Sequence, residues 1–168
     1  MPDMLVKLYE LPPLAPVLEE MKQKGIVIRT ALGPEMKAVC GWAKEHFSEY
    51  WESEVEVAFA RLPVSCIIAT TEPTDTERSK LLGFACYDST LRGFFGPTGV
   101  AEETRGQGVG KALLIACMHA MRDVGYGYAI IGGAGPVDFY AKQLGAIVID
   151  DSVPGVYRGM LPTYTLQT

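Results

Sequence analysis

Apolar positions along this chain switch between a period of two and a period near four, and the switches outline an alternation of strands and helices. Residues 26–29, Ile-Val-Ile-Arg, have strand composition. Gly33-Pro34-Glu35 then marks a helix start with proline in the first turn, and Met36, Val39, Cys40, Ala43 and Phe47 fall on one face of a helix running to about His46. Residues 52–59 carry two patterns at once: strict alternation suits a strand, while Trp51, Val55, Ala58, Phe59 and Leu62 suit a helix. The apolar runs 64–70 and 81–87, flanking the polar stretch 71–80, predict an antiparallel hairpin.

The second half reads strand, helix, strand, helix, strand. Residues 94–101 form a strand in which Gly96, Pro97 and Gly99 weaken the ladder, so a bulge or a splayed end is expected there. Residues 109–124 form an apolar helix closed by Gly125-Tyr126-Gly127, followed by a strand over 128–132, a helix over 136–144 and a strand over 146–149. This order predicts an α/β (α+β) fold as a single domain over residues 1–168: a mixed central sheet, antiparallel in its N-terminal part and parallel in its C-terminal part, flanked by helices. Residues 5–11 read as a short strand or extended arm interrupted by Pro12, Pro13 and Pro16. The tail from Ser152, with Pro154, Gly155, Tyr157 and Tyr164, is expected to add a last edge strand, which could pair across a homodimer.

Charge narrows the partners. The formal net charge is −5 and the pI about 5.1, which disfavours broad binding to nucleic acid or an anionic membrane and leaves a cationic substrate unopposed. Cys40, Cys66, Cys86 and Cys117 are scattered among apolar neighbours without metal-ligand spacing, so they are expected as core residues and no metal is implied. Neither a basic leader nor an apolar run of membrane-spanning length occurs, and a soluble cytoplasmic protein is expected.

Arg105-Gly106-Gln107-Gly108-Val109-Gly110, between the irregular strand and the long helix, carries the chemistry. Glycines let a backbone turn sharply and approach an anion, and a helix start offers unpaired N–H groups at the positive end of its dipole. A nucleoside-triphosphate loop would need G-x-x-x-x-G-K-S/T, whereas Ala112 follows Lys111; a dinucleotide fingerprint would need a glycine where Lys111 stands. What remains, Arg-x-x-Gly-x-Gly, resembles the pyrophosphate-binding signature of the GCN5-related N-acetyltransferase (GNAT) family.

The likeness extends over the C-terminal half. The stretch from Val100 to Gly110 is similar to that family's Val-x-Pro-x-Tyr/Trp-Arg-Gly-x-Gly-Ile/Val-Gly, with Glu102 where proline is common. Phe139-Tyr140-Ala141-Lys142-Gln143-Leu144-Gly145 is similar to its later Phe-Tyr-x-Lys-x-Gly, one residue longer. The resemblance implies a helix for residues 52–59. It also implies acetyl-CoA as cosubstrate, held by Thr98, Gly99, Val100, Arg105, Gly106, Gln107, Gly108, Val109, Gly110, Lys111, Pro136 and Tyr140, with the pantetheine arm pairing to the irregular strand as an added strand would.

Direct transfer of an acetyl group to a primary amine of a small molecule or peptide, in a ternary complex, requires a neutral amine, donors for an oxyanion and an acid for the departing thiolate. Tyr140 is the candidate acid, with core packing as the alternative. Backbone N–H groups near Gly99 and Val100 are the oxyanion donors. Glu54 and Glu56 lie in the segment that in this family lines the acceptor pocket; Glu56 is the candidate base, against a solvated helix face or a water relay. His46, at a helix end, and His119, expected on the solvent side with Lys111 and Arg122, are set aside. A non-catalytic acyl-CoA-binding sensor or structural module is the alternative function, and a phosphotransferase is disfavoured by Ala112.

Overall fold

A computed structural model describes residues 1–163 of the chain. In order, it contains β1 (Met4–Lys7), α1 (Ala15–Gln23), β2 (Ile26–Thr30), α2 (Met36–His46), α3 (Glu49–Phe59), β3 (Cys66–Thr71), β4 (Leu81–Tyr87), β5 (Phe94–Val100), α4 (Val109–Asp123), β6 (Tyr128–Ile131), α5 (Val137–Leu144) and β7 (Ile147–Val148). Successive residues of a strand point to opposite faces, and here both faces are apolar. Cys66 and Ile68 of β3, with Phe84 and Cys86 of β4, are buried under α2 and α3. Ile67, Ala69, Ala85 and Tyr87 are buried on the other face with Met21 of α1 and the apolar stripe of α4. The sheet is thus the middle of three layers.

All seven strands join one sheet in the order β2-β3-β4-β5-β6-β1-β7, antiparallel throughout except for the parallel pair of β5 and β6. The mixed sheet matches the expected fold class, but one element of its order does not. Chain order implies β7 beside β6, whereas β1 lies between them, antiparallel to both, so β6 and β7 run the same way without touching. Burial explains the insertion. Met4 and Val6 of β1 are 1% and 0% exposed, while Ile147 and Val148 of β7 are 54% and 44% exposed, which suits β7 to the edge.

Two further expectations change. The proline-rich stretch after residue 11 leads into α1, with Pro16 in its first turn, where a missing N–H costs nothing. The tail forms no strand among the described residues; it makes a single 3-10 turn, Gly155–Tyr157, and Tyr164 lies outside the described residues. Residues 52–59 are helical, within α3, whose N-terminus is capped by the Ser48 hydroxyl accepting from the Trp51 amide at 3.3 Å. All four cysteines are free and buried. No helix among the described residues is long and apolar enough to cross a membrane.

Candidate active site

β5 pairs with β4 from Phe95 to Val100 but meets β6 only at Phe94 and Phe95. Beyond that point the two parallel strands part, leaving residues 96–100 with no strand on the β6 side. The register with β4 also shifts between Ala85 and Tyr87, opposite this stretch, in keeping with the bulge expected from Gly96 and Pro97. A cavity of about 890 Å³ fills the opening, with Thr98 on one wall and Pro136 and Tyr140 on another. Gly99 has a packing reason of its own: a Cβ there would come 2.4 Å from the Phe47 ring. That ring stacks on Trp51 at 4.4 Å and meets Phe84 edge-on, so an aromatic cluster is pressed against bare backbone.

The C-terminal end of β5 leads into the glycine loop. Gly106 and Gly108 have φ of 81° and 89°, left-handed values that L side chains resist, and Gly108 is the residue from which α4 starts. None of the amides of residues 106–111 donates to another group among the described residues; the first paired one is Ala112, which donates to the Gly108 carbonyl at 3.0 Å. Six free N–H groups therefore gather at the positive end of a fifteen-residue helix. Arg105 is exposed beside them, and its guanidinium has no partner among the described residues.

Two members of the loop offer their backbone alone. Val109 is 1% exposed and packs into the core, so that only its amide faces outward. Gly110 lies in the first turn of α4 without a positive φ, and a Cβ there would make an ordinary 3.6 Å contact with Val100 Cγ2. The same contact shows that the loop adjoins the end of β5. Lys24, the residue that caps the C-terminus of α1, donates to the Gln107 carbonyl at 2.8 Å and to Glu20 at 3.1 Å, pinning the loop and adding a cation beside it. With α1 unread in the sequence, that support was invisible.

Tyr140, in α5, sits edge-on to Phe95 at 6.4 Å between centroids, at the point where β5 and β6 diverge. It is 7% exposed, and its hydroxyl has no hydrogen bond within the protein among the described residues. Burial raises its pKa, so it holds its proton more firmly than a free tyrosine.

Of the two acidic candidates on α3, Glu54 lines the cavity and Glu56 does not. Glu56 is exposed, on the outer face of the helix. Helix phase accounts for the difference: Glu54 is three residues from Trp51 and four from Ala58, on the inward stripe, and Glu56 is not. Burial raises the Glu54 pKa, against a hydrogen bond that Thr90 Oγ1 donates to its Oε1. Ser89 and Thr90, just beyond β4, and Val153, Pro154, Tyr157 and Met160 of the tail complete this end of the cavity. No sequence pattern had marked them. His46 stacks on Trp42 at 4.2 Å, outside the cavity, and His119, expected in solvent, is half-buried with Nε2 donating to the Pro12 carbonyl at 2.8 Å, because the segment before α1 crosses over it.

A nest of free amides at a helix start, continued by an unpaired strand edge and a cavity with a buried tyrosine, fits a donor with a pyrophosphate and an extended arm. The profile of the Acetyltransferase (GNAT) family matches residues 36–146, more than half of the chain, and the chain belongs to this family. In fold it is similar to three solved structures. One is described as a GCN5-related glucosamine N-acetyltransferase region in a fungal multi-domain GH3 β-N-acetylglucosaminidase, at 15% identity and TM-score 0.69 over 88% of this chain and 19% of that one. A second is a GCN5-related N-acetyltransferase from Sphaerobacter thermophilus, at 22% identity and TM-score 0.65 over 88% and 48%. The third is a Drosophila protein, at 11% identity and TM-score 0.60 over 88% and 47%. The chain spans less than half the length of each. No curated protein matches its sequence.

Proposed function

We propose that this protein transfers an acetyl group from acetyl-CoA to a primary amine by direct attack within a ternary complex. The observation that carries the reading is a succession along one strand: the cavity at Tyr140 is lined by β5 from Phe95 to Thr98, the edge of β5 stays unpaired to Val100, and Val100 adjoins Gly110 of the loop whose amides 106–111 are free. The amides and Arg105 bind the pyrophosphate, and the open edge over residues 96–100 pairs with the pantetheine arm. The thioester then reaches the divergence of β5 and β6, beside Tyr140.

Glu54, replacing Glu56, is the base. Its carboxylate takes a proton from the acceptor ammonium as the amine nitrogen attacks the thioester carbon. Backbone N–H groups of β5 near Gly99 and Val100 receive the charge on the oxygen. As the intermediate collapses, the C–S bond breaks, the C–N bond remains and Tyr140 gives its proton to the thiolate, after which the surplus proton on the amide nitrogen passes through solvent to the phenolate; the raised pKa keeps Tyr140 protonated until that moment and also makes it a weaker donor than a free phenol. The test is CoA release from acetyl-CoA with a panel of primary amines, beside calorimetric titration of acetyl-CoA. Amine-dependent release supports the enzyme; tight binding with no release for any amine favours an acyl-CoA-binding module.

A further inference from the structure

The cavity is unlike at its two ends. Toward α5 it is bounded by the glycine-rich backbone of residues 132–135 and by Met1, Phe95, Ile131, Pro136 and Tyr140; toward α3 and the tail it is bounded by side chains, among which Glu54 is the one charged group among the described residues. Around that carboxylate the wall is apolar or aromatic: Trp51, Val57, Pro154, Tyr157 and Met160. Most hydroxyls there are already engaged. Thr90 donates to Glu54, Ser53 to the Glu49 carbonyl at 3.1 Å, Tyr50 to the Leu161 carbonyl at 3.1 Å and Thr98 to the Phe84 carbonyl at 3.3 Å.

The Tyr157 and Ser89 hydroxyls have no hydrogen bond among the described residues, and of the two only Ser89 Oγ is buried. Ser89 is 6% exposed, it lines the cavity, and its Oγ is buried without a hydrogen-bond partner among the described residues; the Cys86 thiol beside it is a weak substitute. A buried hydroxyl left without a partner destabilises a fold, and native proteins rarely retain one. A ligand atom that bonds Ser89 removes that penalty, and Ser89 precedes Thr90, whose hydroxyl donates to Glu54, the one acidic side chain lining the cavity among the described residues.

We infer that the acceptor site takes a small monoamine, one ammonium group on a flat apolar body, with the nitrogen held between Glu54 and Ser89 and the body against Trp51 and Tyr157. This rests on the acetyltransfer reading and narrows it. The acidic side chain matches one cation. A polyamine would bring a second into an apolar wall, where an unpaired charge is costly. An aminosugar would bring several hydroxyls to a wall whose own are mostly spoken for, so they would lose water without replacement. A ring carrying a short aminoalkyl chain meets neither penalty, and its ammonium can also lie against aromatic faces.

The test is CoA release by the full chain with phenethylamine, hexylamine, spermidine, glucosamine and a lysine-containing peptide. Phenethylamine is expected to exceed spermidine and glucosamine in kcat/KM by about tenfold or more. Ser89→Ala should raise the KM for phenethylamine by roughly fivefold to tenfold, leave the KM for acetyl-CoA unchanged, and leave Tm equal or higher, because the hydroxyl removed has no partner in the free protein. Preference for spermidine, glucosamine or the peptide, or an unchanged phenethylamine KM in Ser89→Ala, overturns the inference. If no amine releases CoA, calorimetric titration of phenethylamine into the CoA complex separates the two claims. Binding that Ser89→Ala weakens upholds the amine site while the catalytic reading falls; no binding sinks both.

Discussion

The two ends of the site are built on different principles. The proposed donor cradle is one contiguous stretch, residues 105–111, whose hydrogen-bond donors are backbone amides fixed by two left-handed glycines and a helix start. The proposed acceptor end is assembled from α3, the turn after β4 and the tail, and its chemistry rests on side chains. A backbone-built site is indifferent to most side-chain changes but fails when its dihedral angles are denied. A side-chain site tolerates drift in the backbone but changes its ligand with single substitutions. Specificity for the donor and choice of acceptor can therefore vary independently on one fold.

Substitutions that touch one end and spare the other break or sharpen this contrast. The largest effect is expected from Gly108→Val, which forces a β-branched residue into φ 89° where α4 begins. Acetyl-CoA affinity should fall ~1000-fold or more in a protein whose far-UV spectrum is unchanged. Next, Tyr140→Phe should lower kcat by about 100-fold with acetyl-CoA affinity unaltered, since the proton is needed only as the C–S bond breaks. Rapid-quench kinetics with chemistry rate-limiting checks it.

Glu54→Gln should lower kcat/KM for the amine by roughly 30-fold, less than the acid's loss because water can relay a proton. Its pH profile carries a sign. The Glu54 pKa is raised by burial, so the carboxylate becomes an effective base at a higher pH than an ordinary glutamate does. The wild-type rate should fall as pH drops through that pKa, and Glu54→Gln should lose this acidic limb while keeping the limb due to the amine itself. Arg105→Ala removes one charge-assisted contact and leaves the amides, so acetyl-CoA should bind about tenfold more weakly, roughly 1.4 kcal/mol, by calorimetry.

The smallest effect belongs to Gly110→Ala. Its Cβ would meet Val100 at 3.6 Å with no left-handed φ to oppose it, so affinity should change by less than about twofold. A large loss there would mean that the cradle depends on more than the dihedrals of Gly106 and Gly108.

The same division explains what the sequence disclosed. Local signals survived: the apolar runs of β3 and β4, the apolar stripe of α4, the glycine loop and Tyr140 in α5 all depend on neighbours within one element. Glu54 was legible too, since the stripe through Trp51, Val55 and Ala58 that marks α3 as a helix also turns residue 54 inward and residue 56 outward. Long-range placements were not legible. Nothing local says that β1 will be inserted between β6 and β7, that α1 will pin Gln107 through Lys24, or that Ser89 and Tyr157 will share one cavity. Prolines misled at α1, because a residue that breaks a helix in its interior also starts one.

A crystal structure of the protein with acetyl-CoA bound would test the central claim most directly. The pyrophosphate oxygens should lie within hydrogen-bond distance of the amides of residues 106–111, the pantetheine arm should pair with the free edge of residues 96–100, and the sulfur should sit beside the Tyr140 hydroxyl. Acetyl-CoA bound away from the glycine loop, or with its thioester remote from Tyr140 and Glu54, would contradict the account.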